Sequence, residues 1–188
     1  MFKNKSPRIY LTGCFYFVTV KTQFYQPIFT DENLVKIFGE SLNFLKQRQD
    51  FKLVAGVLLP DHFHLLLKPE KKNISQIIHN LKSYTTTKIS EHIFLNRRGV
   101  EASPENGMVV DFYNYRQGFH ALPSYSKRKT ISIKIWQRSF HYHIINSEKD
   151  FINHYNYICR NPVKHGYMSE AKNWPGLWID DEFEFRSY

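Results

Sequence analysis

Two apolar runs, Phe51 to Leu59 and Phe63 to Lys68, joined through a tight Pro60-Asp61 connection, constrain this chain more than any other feature. Runs of that length bounded by turn residues predict two adjacent strands. Side chains alternate across a strand, so His62 and His64 project from one face while Phe63 enters the core on the other. Two imidazoles side by side on one face can grip a divalent metal ion. The plainer alternative is a strand edge carrying two solvated histidines.

The rest of the chain fits one domain spanning 1–188, with an insertion at about 96–130 and a tail at about 167–188. A hydrophobic content of 42% with 16% aromatics predicts a folded globule. No apolar run reaches the roughly 18–20 residues that span a bilayer. The basic opening Met1-Phe2-Lys3-Asn4-Lys5 lacks the apolar block of a signal peptide. Cys14 and Cys159 stand at no disulfide or metal-ligand spacing. These features predict a cytoplasmic protein with no membrane partner. The formal net charge is +9, although the end of the tail is acidic (Asp180, Asp181, Glu182, Glu184). A basic body rich in aromatics points to a polyanion, most often nucleic acid.

Residues 14–23 read as a strand, and 31–48 as a helix with Leu34, Phe38, Leu42 and Leu45 on one stripe. A second helix covers 73–94, burying Ile74, Ile77, Ile78, Leu81 and Tyr84. Residues 96–130 break the rhythm with glycines, prolines and the run Lys127-Arg128-Lys129. A strand pattern resumes over 131–145. Ser147-Glu148-Lys149-Asp150 resembles a capping box and opens a third helix to about Arg160, ended by Pro162 and Gly166. The order β-α-β-β-α-β predicts an α+β, ferredoxin-like split βαβ fold. It has an antiparallel four-stranded sheet, two helices on one face, a C-terminal helix and a tail.

That last helix carries Tyr157 and Asn161, four apart and on one helical face. A phenol that can attack and an amide oxygen that can ligate metal would reach the sheet together. Tyr155 competes for the first role but lies about 160° around the helix, where it is expected to pack in the core.

Four blocks in this order resemble the Y1 tyrosine transposases of the IS200/IS605 type, and among them the REP-associated group. These blocks are Tyr16-Phe17-Val18-Thr19-Val20, the stretch Leu58 to Leu67 with its histidine pair, Ile135 to Phe140, and Tyr157 to Gly166. The resemblance implies Tyr157 as nucleophile, His62, His64 and Asn161 as metal ligands, and Mg²⁺ or Mn²⁺ as the ion. It implies single-stranded hairpin DNA as substrate, cleaved through a 5′-phosphotyrosine. It also implies a monomer, through the signature Asn161-Pro162-Val163-Lys164-His165-Gly166.

Lys21, Lys82, Lys88, Lys127, Arg128 and Arg138 are candidates for phosphate contacts, and Trp136, Phe140 and Tyr142 for base stacking, each set against the alternative of a solvated or core role. The acidic tail, with Trp174 and Trp178, either folds over a basic groove or serves as a solubilising end. Three rivals remain at this level: a retired nucleic-acid-binding module, a metal-independent RNA endonuclease on the same fold, and a replication or conjugation relaxase. The last usually needs a longer chain.

Overall fold

Alternation, turn chemistry and helix caps decide most of the architecture of the computed structural model, which describes residues 10–98 and 134–180. Strands β2 (Phe51–Leu59) and β3 (His62–Pro69) form the expected hairpin, paired antiparallel from Phe51 opposite Pro69 to Leu59 opposite His62. Strand β1 (Tyr16–Lys21) lies on the other side of β3, and β4 (His141–Ile144) pairs with β1. A fifth strand, β5 (Leu177–Ile179), adds to the free edge of β2, giving the order β4-β1-β3-β2-β5. The sheet therefore has five strands rather than the four expected. The extra one comes from the tail, where three residues carry too short a pattern to read alone.

Helices α1 (Glu32–Gln47) and α2 (Ile74–Arg98) cover one face. Asp31 caps α1, its carboxylate accepting from the Asn33 N–H at 2.9 Å. The core on this side joins Phe38, Leu42, Ile77, Ile78 and Leu81 to Val18, Phe63 and Leu65. Helix α3 (Glu148–Lys164) packs on the opposite face, where Phe151 and Ile158 meet Val57, Leu59 and Leu66. A bulge between Leu53 and Ala55 adds one residue to β2. Leu53 faces the first core, Val54 and Ala55 both face the second, and Leu58 returns to the first.

Helix α3 starts where expected, with the Ser147 hydroxyl accepting from the Asp150 N–H at 3.2 Å. It does not stop at Pro162, which is buried inside it. Gly166 makes the stop: at φ +71° it lets the Tyr167 N–H reach the Pro162 carbonyl and its own N–H reach Val163, both at 2.9 Å. The fourth strand is shorter than the 131–145 pattern, because the chain before it turns inward. Trp136 is only 7% exposed, stacked on Phe29 with ring centroids 5.1 Å apart and edge-on to Phe63. Its faces are taken by core rings, so the expected stacking of Trp136 on nucleobases is corrected to a core role. Phe140 is likewise buried, and Tyr142 packs against the same core.

The tail is structural as far as it is described. Trp174 donates its indole N–H to the Leu58 carbonyl at 2.7 Å. Trp178 lies against Phe38 and Gly39, where a β-carbon on the glycine would meet its ring at 3.1 Å. Trp174 is thereby tied to β2 and also stacks on Tyr167 at 5.3 Å, while Trp178 packs on α1. Asp180 pairs with Lys46 at 3.5 Å, and the remaining tail acids lie outside the described residues. Trp178→Ala should cost about 2–3 kcal/mol of stability in urea unfolding, the lower part of the range for large-to-small aromatic changes because the ring is half-buried. A loss below about 0.5 kcal/mol would return the tail to a solubilising role. Among the described residues, no helix is long and apolar enough to cross a membrane.

Candidate active site

The β1–β3 register sets Thr19 opposite His64 and Lys21 opposite His62, all on the sheet face that α3 covers. The two imidazoles stand edge to face, ring centroids 4.8 Å apart. Each is held through its Nδ1. The Asp61 carboxylate lies 2.6 Å from His62 Nδ1, and the Thr19 hydroxyl lies 2.8 Å from His64 Nδ1. An ionised carboxylate can only accept, so His62 Nδ1 carries the hydrogen and its Nε2 is left with a lone pair in the neutral ring.

Helix α3 brings its own groups to this pair. The Tyr157 ring meets His64 edge to face at 5.2 Å, and Phe17, stacked on His64 at 5.2 Å, touches the tyrosine edge at 5.8 Å. Two turns on, His165 approaches His62 with ring centroids 6.2 Å apart. Asn161 stands midway, four residues from each, and is fully buried. Its amide NH₂ makes one long contact to the Tyr157 carbonyl at 3.4 Å. Asn161 Oδ1 and His64 Nε2 are buried and find no hydrogen-bond partner among the described residues.

Orphaned buried acceptors are uncommon, because each forfeits its hydration for nothing. Here two of them, with the outer nitrogen of His62, belong to the trio expected to ligate metal. An imidazole pair plus an amide oxygen suits Mn²⁺ or Mg²⁺, and the Nδ1 partners are the outer support that metal-binding histidines normally have. The residues present therefore fit a divalent cation.

Burial strips water from His64 and disfavours its charged form, and His62, His165, Lys21 and His154 nearby add positive charge. Its pKa falls to about 3, which keeps the ring neutral and able to ligate near pH 7. Lys164 places its ammonium 5.3 Å from the centre of the Tyr157 ring. Tyr155 is partly buried and packs against the second core.

A second group, His143, Asp150 and His154, has ligand atoms within 4.8 Å of one another. Its members already bond each other, Asp150 to His143 at 2.7 Å and to His154 at 3.0 Å, and so clamp β4 to the start of α3. His154 also packs on Phe17 at 4.5 Å. Sequence reading missed Thr19, Asp61, Phe17 and His154. Only Asp61, adjacent to the first histidine, gave any local signal.

The expected phosphate contacts are scattered. Lys21 lies at the site's edge, and Arg138 is exposed beside it, since the Gln137 N–H bonds the Lys21 carbonyl at 3.0 Å. Lys82 donates to the carbonyls of Gln137 and Arg138 at 2.6 and 3.1 Å, which makes it a strut for that segment. Lys88 pairs with Glu91 at 2.8 Å on α2, across the sheet from the histidines. Lys127 and Arg128 lie outside the described residues.

Residues 11–102 match the family model described as IS200-like transposase. A Haemophilus influenzae protein assigned as a REP-associated tyrosine transposase is 29% identical over 174 residues, covering 89% of this chain and 81% of that one. The REP-associated tyrosine transposase of Escherichia coli K12 is 46% identical over 41 residues, 22% of this chain and 25% of its own length. Among solved structures, a REP-associated tyrosine transposase bound to a REP hairpin is similar with a TM-score of 0.58 at 21% identity, covering 97% of this chain and 94% of that one. That last likeness is one of fold.

Proposed function

We propose that this chain is a member of the IS200-like transposase family, to whose model and relatives it is similar, and that it cuts and rejoins single-stranded hairpin DNA through a covalent tyrosine link. The supporting observation is the meeting of the Tyr157 ring with a neutral histidine whose outer nitrogen, like the neighbouring Asn161 oxygen, is buried without a partner. A hairpin of the repetitive extragenic kind is the substrate class, after the relative solved with a REP hairpin.

Tyr157 is the nucleophile. Its oxygen forms a bond to phosphorus as the bond from phosphorus to the 3′ oxygen breaks. The phenol gives up its proton, and the departing 3′ oxygen gains one. The products are a 5′-phosphotyrosine and a free 3′-OH, and a second 3′-OH can reverse the step without an external energy source. His62, His64 and Asn161 would hold Mg²⁺ or Mn²⁺, whose Lewis acidity offsets charge on the phosphate. For His64 to ligate, its Nδ1–H donates to Thr19 Oγ1 and Nε2 offers the lone pair. Asp61 orients His62 in the same way. Lys21 and Lys164 bring positive charge to the approaching phosphate. Because tyrosine and histidines meet within one chain, the monomer is the working unit, in the cytoplasm beside the nucleoid.

The test is incubation of the protein with hairpin oligonucleotides carrying single-stranded flanks, with Mn²⁺ or with EDTA, followed by peptide mapping. A metal-dependent adduct on Tyr157 supports the proposal. Cutting that persists in EDTA and requires a 2′-OH would replace it with an RNA endonuclease. DNA binding with neither cutting nor adduct would indicate a retired module. Asp61→Asn should weaken Mn²⁺ binding about tenfold by calorimetry, the low end for loss of an outer partner to a ligating histidine. Unchanged affinity would remove His62 from the ligand set.

A further inference from the structure

Directly after β1, the chain holds two aromatic rings out to solvent in a backbone conformation that bulky residues avoid. Phe24 and Tyr25 have φ of +55° and +56° and are 77% and 57% exposed. Left-handed geometry is costly for a residue with a β-carbon, and exposure recovers no burial energy in return. The short segment is nonetheless firmly pinned. Thr22 is fully buried, its N–H bonded to the Asp61 carbonyl at 2.8 Å and its hydroxyl to the Gln26 carbonyl at 2.8 Å. The Gln23 N–H bonds Ile135 at 2.7 Å, and Ile28 and Phe29 close the far side inside the core.

The position of this segment supplies a purpose. Lys21 sits opposite His62 in the sheet, on the face that carries the candidate metal ligands, and its ammonium lies 4.7 Å from the centre of the Tyr25 ring. A rigid aromatic face next to a cation, at the rim of a site for phosphodiester chemistry, is the arrangement that grips single strands. Bases stack on the ring while the cation takes the phosphate. Exposed Arg138 lies beside the same strand end and adds charge of the right sign.

We infer that Phe24 and Tyr25, with Lys21, form a stacking platform for unpaired nucleotides flanking the DNA hairpin. This rests on the nucleic-acid reading above and adds to it the element that recognises the single strand. Stacking tolerates any base, so the platform contributes affinity and directs the flank toward His62 rather than reading its sequence.

The experiment compares wild-type protein with the Phe24→Ala/Tyr25→Ala double variant, by fluorescence anisotropy, on a hairpin with a single-stranded flank and on the same hairpin blunt-ended. Both changes keep a β-carbon, so the backbone strain is unaltered, and a thermal melt confirms folding. The expected result is about tenfold weaker binding of the flanked hairpin and unchanged binding of the blunt one. Flank bases replaced in turn by 5-iodouracil should crosslink to Tyr25 or Phe24 under ultraviolet light. If wild-type protein binds the flanked hairpin and the double variant binds it equally well, with crosslinks elsewhere, the platform is refuted and the nucleic-acid reading stands. If wild-type protein binds neither DNA, both fall.

Discussion

Tyr157→Phe should abolish DNA cleavage and adduct formation, by a factor on the order of 10⁴ or more, while leaving the fold unchanged. The removed oxygen is the only group lost. The ring keeps its edge contacts with His64 and Phe17, and Tyr157 is 36% exposed, so stability should move by less than about 0.5 kcal/mol. Loss of a nucleophile typically costs nearly all of the catalysed rate, since the other groups of the site act only through it. Single-turnover cleavage of an end-labelled hairpin, read beside a thermal melt, checks both halves. Tyr155→Phe is the matched control: its ring packs against the second core, and activity should remain near wild type. Residual adduct in Tyr157→Phe together with its loss in Tyr155→Phe would exchange the two assignments.

Tyr157 and Asn161 could be placed on one face from the chain alone because helical period is a local property, while the tyrosine's proposed role came from the family resemblance. Tyr157, Asn161 and His165 fall on one stripe whatever lies beneath them, and in the fold that stripe meets the histidine pair. The hairpin and the direction of His62 and His64 were legible for the same reason, since alternation is fixed within a strand. What escaped depends on partners remote in sequence. Thr19 matters only because the register of β1 against β3 sets it opposite His64, 45 residues away. The bulge at Val54 and the three-residue β5 exist through their neighbours in the sheet, not through any pattern of their own. Trp136 was misjudged because an aromatic residue in an irregular segment has no period to say which way it points. Its direction is decided by the space between Phe29 and Phe63. Pro162 failed as a stop signal because a helix end is set by where its last carbonyls find partners. Gly166 supplies that ending four residues later.

The burial that keeps His64 neutral also makes the protein sensitive to acid. With a folded pKa of about 3 against an ordinary value of 6.5, His64 takes up a proton in the unfolded chain long before it does so in the folded one. Above pH 6.5 both states are neutral at this residue and its full contribution is present. As pH falls from 6.5 toward 3 the unfolded state binds more protons, so stability declines by about 1.4 kcal/mol per unit. Below about pH 3 both states are protonated and the decline from this group ends. The accumulated loss is on the order of 5 kcal/mol, a large share of the stability of an ordinary domain. Urea unfolding between pH 7 and 4 in the presence of EDTA should show that slope, and His64→Phe should flatten it while preventing metal binding. Mn²⁺ at pH 7 should raise the unfolding free energy, by about 2.7 kcal/mol at a hundredfold excess over its dissociation constant. That gain should fade with acidification, because proton and cation compete for the same Nε2 lone pair. An equal slope in His64→Phe would mean that other histidines carry the acid sensitivity. A Mn²⁺ gain that persisted in that variant would mean that the cation binds elsewhere.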